Sequence, residues 1–83
     1  MKNKSIKQFN KKWQAHGYWE RYYSDGTLWY KGNYIDGKPD GCWEEYWSNG
    51  ILMNKGCYAN GERTGYWRWY NIDGELEEQI FYK

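Results

Sequence analysis

The chain reads as an all-β protein, an antiparallel meander of tandem 24-residue β-hairpin repeats, and three observations lead there. All ten glycines fall on four positions of a unit that recurs every 24 residues. Asp-Gly or Asn-Gly dipeptides recur through the units, as hairpin turns require. Seven Trp, ten Tyr and two Phe stand against three Leu, five Ile and no Val, so burial has to come from rings lying across a sheet. At 83 residues there is room for one domain and no sizeable second layer.

Taken in order, residues 1–16 form a basic amino-terminal cap or tail, with lysines at 2, 4, 7, 11 and 12 and no acid. Two readings stay open for its path. Ser5 with Gln8 makes a capping box, and Ile6, Phe9 and Trp13 share one helical face. Alternatively, Phe9 to Gly17 is a degraded half repeat, a strand and turn that covers the first sheet edge. Three repeats follow, at 17–40, 41–64 and 65–83. The first runs Gly17, Trp19, Tyr22, Gly26, Leu28, Gly32, Tyr34, Gly37, and the second Gly41, Trp43, Tyr46, Gly50, Leu52, Gly56, Tyr58, Gly61. The third keeps Gly65, Trp67, Tyr70, Gly74, Leu76 and Tyr82 but carries Ile80 where the others have glycine. Six strands are expected, near 17–23, 27–34, 41–47, 51–58, 65–71 and 75–82.

A two-residue loop at Asp25-Gly26, Asn49-Gly50 and Asp73-Gly74 fixes a register within each hairpin. It sets Glu20 opposite Lys31, Glu44 opposite Lys55 and Arg68 opposite Gln79, with no like charges facing. It also sets Trp19 opposite Gly32 and Trp43 opposite Gly56, so that each indole lies over a glycine, while Trp67 meets Ile80. Tyr23, Trp47 and Asn71 pair with Leu28, Leu52 and Leu76 on that same tryptophan face. The opposite face holds the charge pairs with Tyr22, Tyr46 and Tyr70. A bulged turn would shift the pairings by one residue and exchange the faces.

The string GYWERYYSDGTLWYKGNYIDGKPDG, repeated as GCWEEYWSNGILMNKGCYANGERTG, resembles the MORN-repeat variant found in tandem in bacterial proteins. The resemblance covers residues 17–82. It implies hairpins packed side by side into an elongated, twisted single sheet; the departures from the pattern, at the frayed start and at Ile80, suggest terminal caps. It further implies an interaction scaffold, of a kind often described as antitoxin-like.

The chemistry-bearing residues point away from catalysis. Cys42 and Cys57 face each other in the proposed register, but alternation counted from the turn puts them at a hydrogen-bonded site, where the Cβ atoms stand farther apart. Nothing in Met1 to Lys12 resembles an export signal or a membrane span, so a cytoplasmic location and reduced, structural thiols are expected. His16 is the single histidine and cannot complete a tetrahedral metal site with two cysteines. The acids Glu20, Glu44 and Glu45 read as solvated sheet charges, and no nucleophile, acid and base converge, so neither enzyme activity nor a cofactor is expected. The glycines belong to turns and packing; none precedes a helix as in a phosphate-binding loop. With the amino-terminal lysines set aside, seven basic residues face eleven acidic ones, which argues against a nucleic-acid partner. The basic start is expected to be a solvated tail rather than a grip on nucleic acid or a membrane surface.

Aromatic residues that break the repeat are the remaining clue. Tyr30 becomes Asn54 and Glu78, Trp47 stands for Tyr23 and Asn71, and Trp69 replaces Arg21 and Glu45. Tyr23, Tyr30, Trp47 and Trp69 share the tryptophan face, where they either form a partner-binding patch or close the aromatic core. Trp19, Trp43, Trp67, Gly32 and Gly56 are the structural repeat positions. The leading expectation is a protein-protein interaction module whose partner is a toxin or another effector. Binding of a small ligand, a nucleotide or glycan, and homotypic assembly into a homodimer through open sheet edges are the alternatives.

Overall fold

The computed structural model describes residues 4–83, so Lys2 and the rest of residues 1–3 lie outside it. Six strands form one antiparallel sheet in sequence order: β1 Gly17–Tyr22, β2 Leu28–Ile35, β3 Lys38–Tyr46, β4 Leu52–Ala59, β5 Glu62–Tyr70 and β6 Leu76–Tyr82. The slab measures 40 × 40 × 10 Å, one sheet thick. With no second layer to bury against, the tryptophan face covers itself: Trp19 and Trp67 are buried, at 7 % and 3 % exposure. Among the described residues there is no helix, and hence none long and apolar enough to cross a membrane.

The expected ladder is present, reached by a different turn. Glu20 pairs with Lys31, Glu44 with Lys55, Arg68 with Gln79, Trp19 with Gly32, Trp43 with Gly56 and Trp67 with Ile80. The first turn of each unit, however, is a three-residue loop. The Tyr23 amide donates to Thr27 O at 2.8 Å and the Gly26 amide to Tyr23 O at 2.9 Å, with Gly26 at φ 91°. That loop alone would shift the register by one residue. A bulge after Leu28 shifts it back, so that Tyr22 pairs with Leu28 but Arg21 with Tyr30. The same compensation recurs at Leu52 and Leu76, which pair with Tyr46 and Tyr70. The three leucines therefore stand on the tyrosine face, opposite to expectation, and the bulge residues Trp29, Met53 and Glu77 separate them from the ladder. The second turns are two-residue loops, with Asp36 at φ 49° and Gly37 at φ 85°, and Asn60 and Gly61 at 55° and 83°.

The indoles also lean in an unexpected direction. A Cβ built on Gly32 would fall inside the Trp43 ring, and one on Gly56 inside the Trp67 ring. Each tryptophan thus lies on the glycine of the preceding repeat, not on the glycine it pairs with, and its Nε1 donates backward to Asn33 O or Cys57 O, both at 3.1 Å. Glycine at 32 and 56 is required by this close approach, since neither has an unusual φ.

Residues 4–16 supply the same service to Trp19. Ile6 bridges Glu20, Phe9 bridges Ala15, and Gln8 O accepts from Trp19 Nε1 at 2.8 Å. Phe9 packs edge-on against the Trp19 ring at 5.3 Å. The path is that of a strand and turn; the helical alternative is not adopted, because the backbone groups of Ile6 are spent on Glu20. The segment latches to the first repeat through Ala15 O, which accepts from the Gly37 amide at 2.8 Å, and through Asn10 Nδ2, which donates to Asp36 Oδ1 at 3.0 Å.

Cys42 and Cys57 are joined in a disulfide, contrary to the expected free thiols. The expectation rested on the cytoplasmic location inferred from Met1 to Lys12 and on counting alternation from a two-residue turn. The three-residue loop and its bulge change that parity, and the 3.8 Å Cα separation is nearer the short spacing of a non-hydrogen-bonded pair than the long one of a hydrogen-bonded pair.

Candidate interaction face

The two faces of the slab differ in what their polar groups do. On the tyrosine face one row crosses all six strands: Glu20, Lys31, Glu44, Lys55, Arg68, Gln79. All of its members but Lys55 bond to one another or to the flanking hydroxyls. Tyr18 and Tyr22 donate to the two oxygens of Glu20 at 2.6 and 2.7 Å, Tyr46 donates to Glu44 at 2.6 Å, and Lys31 Nζ stands 3.5 Å from Glu44. These hydrogen bonds hold both carboxyls below their ordinary value. Burial, with the adjoining carboxylate second, pushes the Tyr18 and Tyr46 hydroxyls up to about 12. Like charges do meet between repeats, where Lys55 faces Arg68, and Arg68 turns to Gln79 Oε1 at 2.7 Å. The disulfide lies on this face, as does an exposed ring pair, Tyr66 and Phe81, 4.9 Å apart.

The tryptophan face has a corresponding row, Arg21, Tyr30, Glu45, Asn54, Trp69, Glu78, again continuous across the sheet. Here neither repeat position keeps its residue from one unit to the next, whereas the adjacent Trp19, Trp43 and Trp67 positions are constant. The row lies over two clefts. The first, about 240 Å³, has walls from Trp29, Tyr30, Trp43, Tyr58 and Trp67, with Glu45, Asn54 and Arg63 among them. Tyr30 stacks on Trp43 at 5.6 Å, and Glu45 accepts from Asn54 Nδ2 at 3.0 Å and from Trp29 Nε1 at 3.3 Å. The second, wider and shallower at about 720 Å³, is lined by Trp47, Met53, Trp69, Tyr70, Glu77 and Glu78.

The four residues singled out from the sequence all stand on this face but divide in role. Tyr30 walls the first cleft and Trp69 the second. Tyr23 and Trp47 act as staples between units: Tyr23 Oη donates to Tyr46 O at 2.5 Å and Trp47 Nε1 to Tyr70 O at 3.2 Å, each reaching the next repeat. Trp47 in addition lines the second cleft. Sequence reasoning missed Trp29, Glu45 and Arg63. Trp29 was hidden because its face depends on the bulge; Glu45 carried a signal, since it shares its repeat position with Arg21 and Trp69. Arg63 lies 4.7 Å from the Trp67 centroid and 5.5 Å from that of Trp69, and donates to Tyr82 Oη at 3.1 Å. Arg21 lies 5.7 Å from the Trp29 centroid. His16 is a latch: its Nδ1 accepts the Asp36 amide at 3.1 Å. Among the described residues no three His, Cys, Asp or Glu gather as metal ligands.

No curated protein and no solved structure matches the chain. The profile of the MORN repeat variant matches residues 15–36, 39–60 and 63–83, at the 24-residue spacing of the glycines and tryptophans. Repeats of this kind are generally interaction modules without catalysis. With most of its length covered by three such matches and each match corresponding to one hairpin unit of the sheet, the chain belongs to the MORN repeat variant family.

Proposed function

We propose that the chain is a non-catalytic protein-interaction module that takes its partner on the tryptophan face, in an antitoxin-like role that holds or inhibits an effector protein. The observation that carries this reading is the contrast between rows. Constant tryptophans and glycines are accounted for by packing of one unit on the next. The row Arg21 to Glu78 differs in every unit and lies over the two clefts, which is where a scaffold acquires specificity. Tyr30, Trp47 and Trp69 are the aromatic anchors of the surface, and Tyr23 holds the neighbouring turn in place.

Affinity capture with wild-type protein, a Tyr30→Ala, Trp69→Ala variant and a Tyr66→Ala, Phe81→Ala control tests the choice of face. Loss of a specific partner in the first variant alone is expected, with circular dichroism showing both variants folded. Retention by the first and loss by the second would move the interface to the tyrosine face.

A further inference from the structure

Glu45 is the anomaly of the tryptophan face. The carboxylates of the other face are countered by hydroxyls and lysine, but among the described residues no ion pair forms at Glu45. Its two partners, Asn54 and Trp29, are neutral donors that fix its position, half-buried between indole and phenol rings, while Arg63, which lines the same cleft, is spent on the Trp67 and Trp69 rings and Tyr82 Oη and forms no ion pair with it. Rings around a fixed carboxylate are a receptor for an organic cation, since the ring faces and the acid attract the same charge. The face already holds cations in this way: Arg21 lies over Trp29, and Arg63 over Trp67 and Trp69. The second cleft repeats the combination, with Trp47 and Trp69 beside Glu77 and Glu78 and no basic residue in its lining.

We propose that the two clefts are paired subsites for basic side chains, arginine before lysine, on one extended segment of a protein partner laid across the strands. Glu45 on β3 and Glu78 on β6 belong to one row, three strand spacings or about 14 Å apart. An extended chain advances about 3.3 Å per residue, so basic residues four positions apart reach both subsites. This inference rests on the protein-interaction reading above and names the chemistry by which that surface selects its partner.

The test is titration of the intact protein, followed by tryptophan fluorescence and calorimetry, with a capped Gly-Ser peptide carrying two arginines four residues apart. Parallel arms use the same peptide with citrulline for arginine, and with the arginines two residues apart. The first peptide is expected to bind, the citrulline peptide to fail, and the closer spacing to bind about tenfold more weakly. Glu45→Gln, which removes the charge and keeps an acceptor for one of the two donors, Asn54 or Trp29, is expected to lose about tenfold in affinity, and Glu78→Gln to abolish the spacing preference. Equal binding of the citrulline peptide overturns the proposal, as does a response to adenosine monophosphate or a glucose oligomer with none to the arginine peptide. The citrulline comparison holds even if a variant is unfolded. A captured partner that depends on Tyr30 and Trp69 but not on Glu45 or Glu78 would refute the cation chemistry and leave the interaction reading standing. Dependence on none of the four would refute both.

Discussion

Gly56 has an ordinary backbone conformation, and its role is entirely spatial: the Trp67 indole occupies the volume its Cβ would need. Gly56→Ala therefore displaces the buried ring that seals the second repeat against the third. A loss of about 2 to 3 kcal/mol is expected, the upper part of the range for overpacking a well-filled core, measurable by urea denaturation. An unchanged midpoint would mean that Trp67 does not rest on that glycine. On the other face the tyrosine hydroxyls and carboxylates set the pH limits. Tyr18 and Tyr46 have folded values raised from 10.0 to about 12, so their contribution is complete below pH 10 and is lost as pH rises toward 12. Glu20 and Glu44 are shifted the opposite way, below 4.5, so theirs is complete above about pH 4.5 and is lost as pH falls through the lowered values. Thermal melts across pH should show both limbs, and Tyr46→Phe should flatten each, because it removes the raised hydroxyl and the hydrogen bond that lowers Glu44. Limbs identical in the variant would show that the Tyr46 to Glu44 bond carries no stability.

Each hairpin shows how far a sequence can be read and where the reading stops. The glycine spacing and the Asp-Gly and Asn-Gly pairs made six strands legible, and the ladder from Arg21 inward follows the register expected from them. The turn itself was not legible. Asp-Gly is compatible with a two-residue loop, as at Asp36-Gly37, and with the end of a three-residue loop, as at Asp25-Gly26, because both need a glycine at positive φ. The bulge after Leu28 cancels the one-residue difference, so the charge pairs came out right while the leucines and Trp29 were assigned to the wrong face or to none. The candidate surface was partly legible for the same reason: Tyr30 and Trp69 lie inside the ladder, whereas the wall supplied by Trp29 depends on the bulge. The cysteine parity failed with the turn. Their disulfide closes a loop of sequence separation 15 across the central hairpin, and reduction is expected to lower stability by about 3 kcal/mol. Melting with and without dithiothreitol, with Cys42→Ser, Cys57→Ser protein as reference, measures it; coincident curves would show that the pairing of β3 with β4 already fixes those strands.

Across the whole molecule, the contact that joins one unit to the next is the same each time: an indole lies on the glycine of the unit before it and donates to a carbonyl there. That contact has two ends, and both are closed at the margins of the slab. The Trp19 ring is covered by Phe9 and has its Nε1 satisfied by Gln8 O. At β6 the position equivalent to Gly32 and Gly56 holds Ile80, whose side chain fills the seat that a following indole would take. An edge strand with free backbone groups is a template for association, but here backbone pairing would have to proceed without the tryptophan contact. Sedimentation from micromolar to several hundred micromolar protein is therefore expected to show a monomer. Ile80→Gly alone should leave that unchanged, because Trp19 remains covered. Combined with deletion of residues 1–14, it restores seat and indole together, and concentration-dependent head-to-tail species are expected, since a heterologous contact of this kind does not close on itself. Association of the wild type through β6, or of the Ile80→Gly protein alone, would show that backbone pairing suffices and that Ile80 guards nothing.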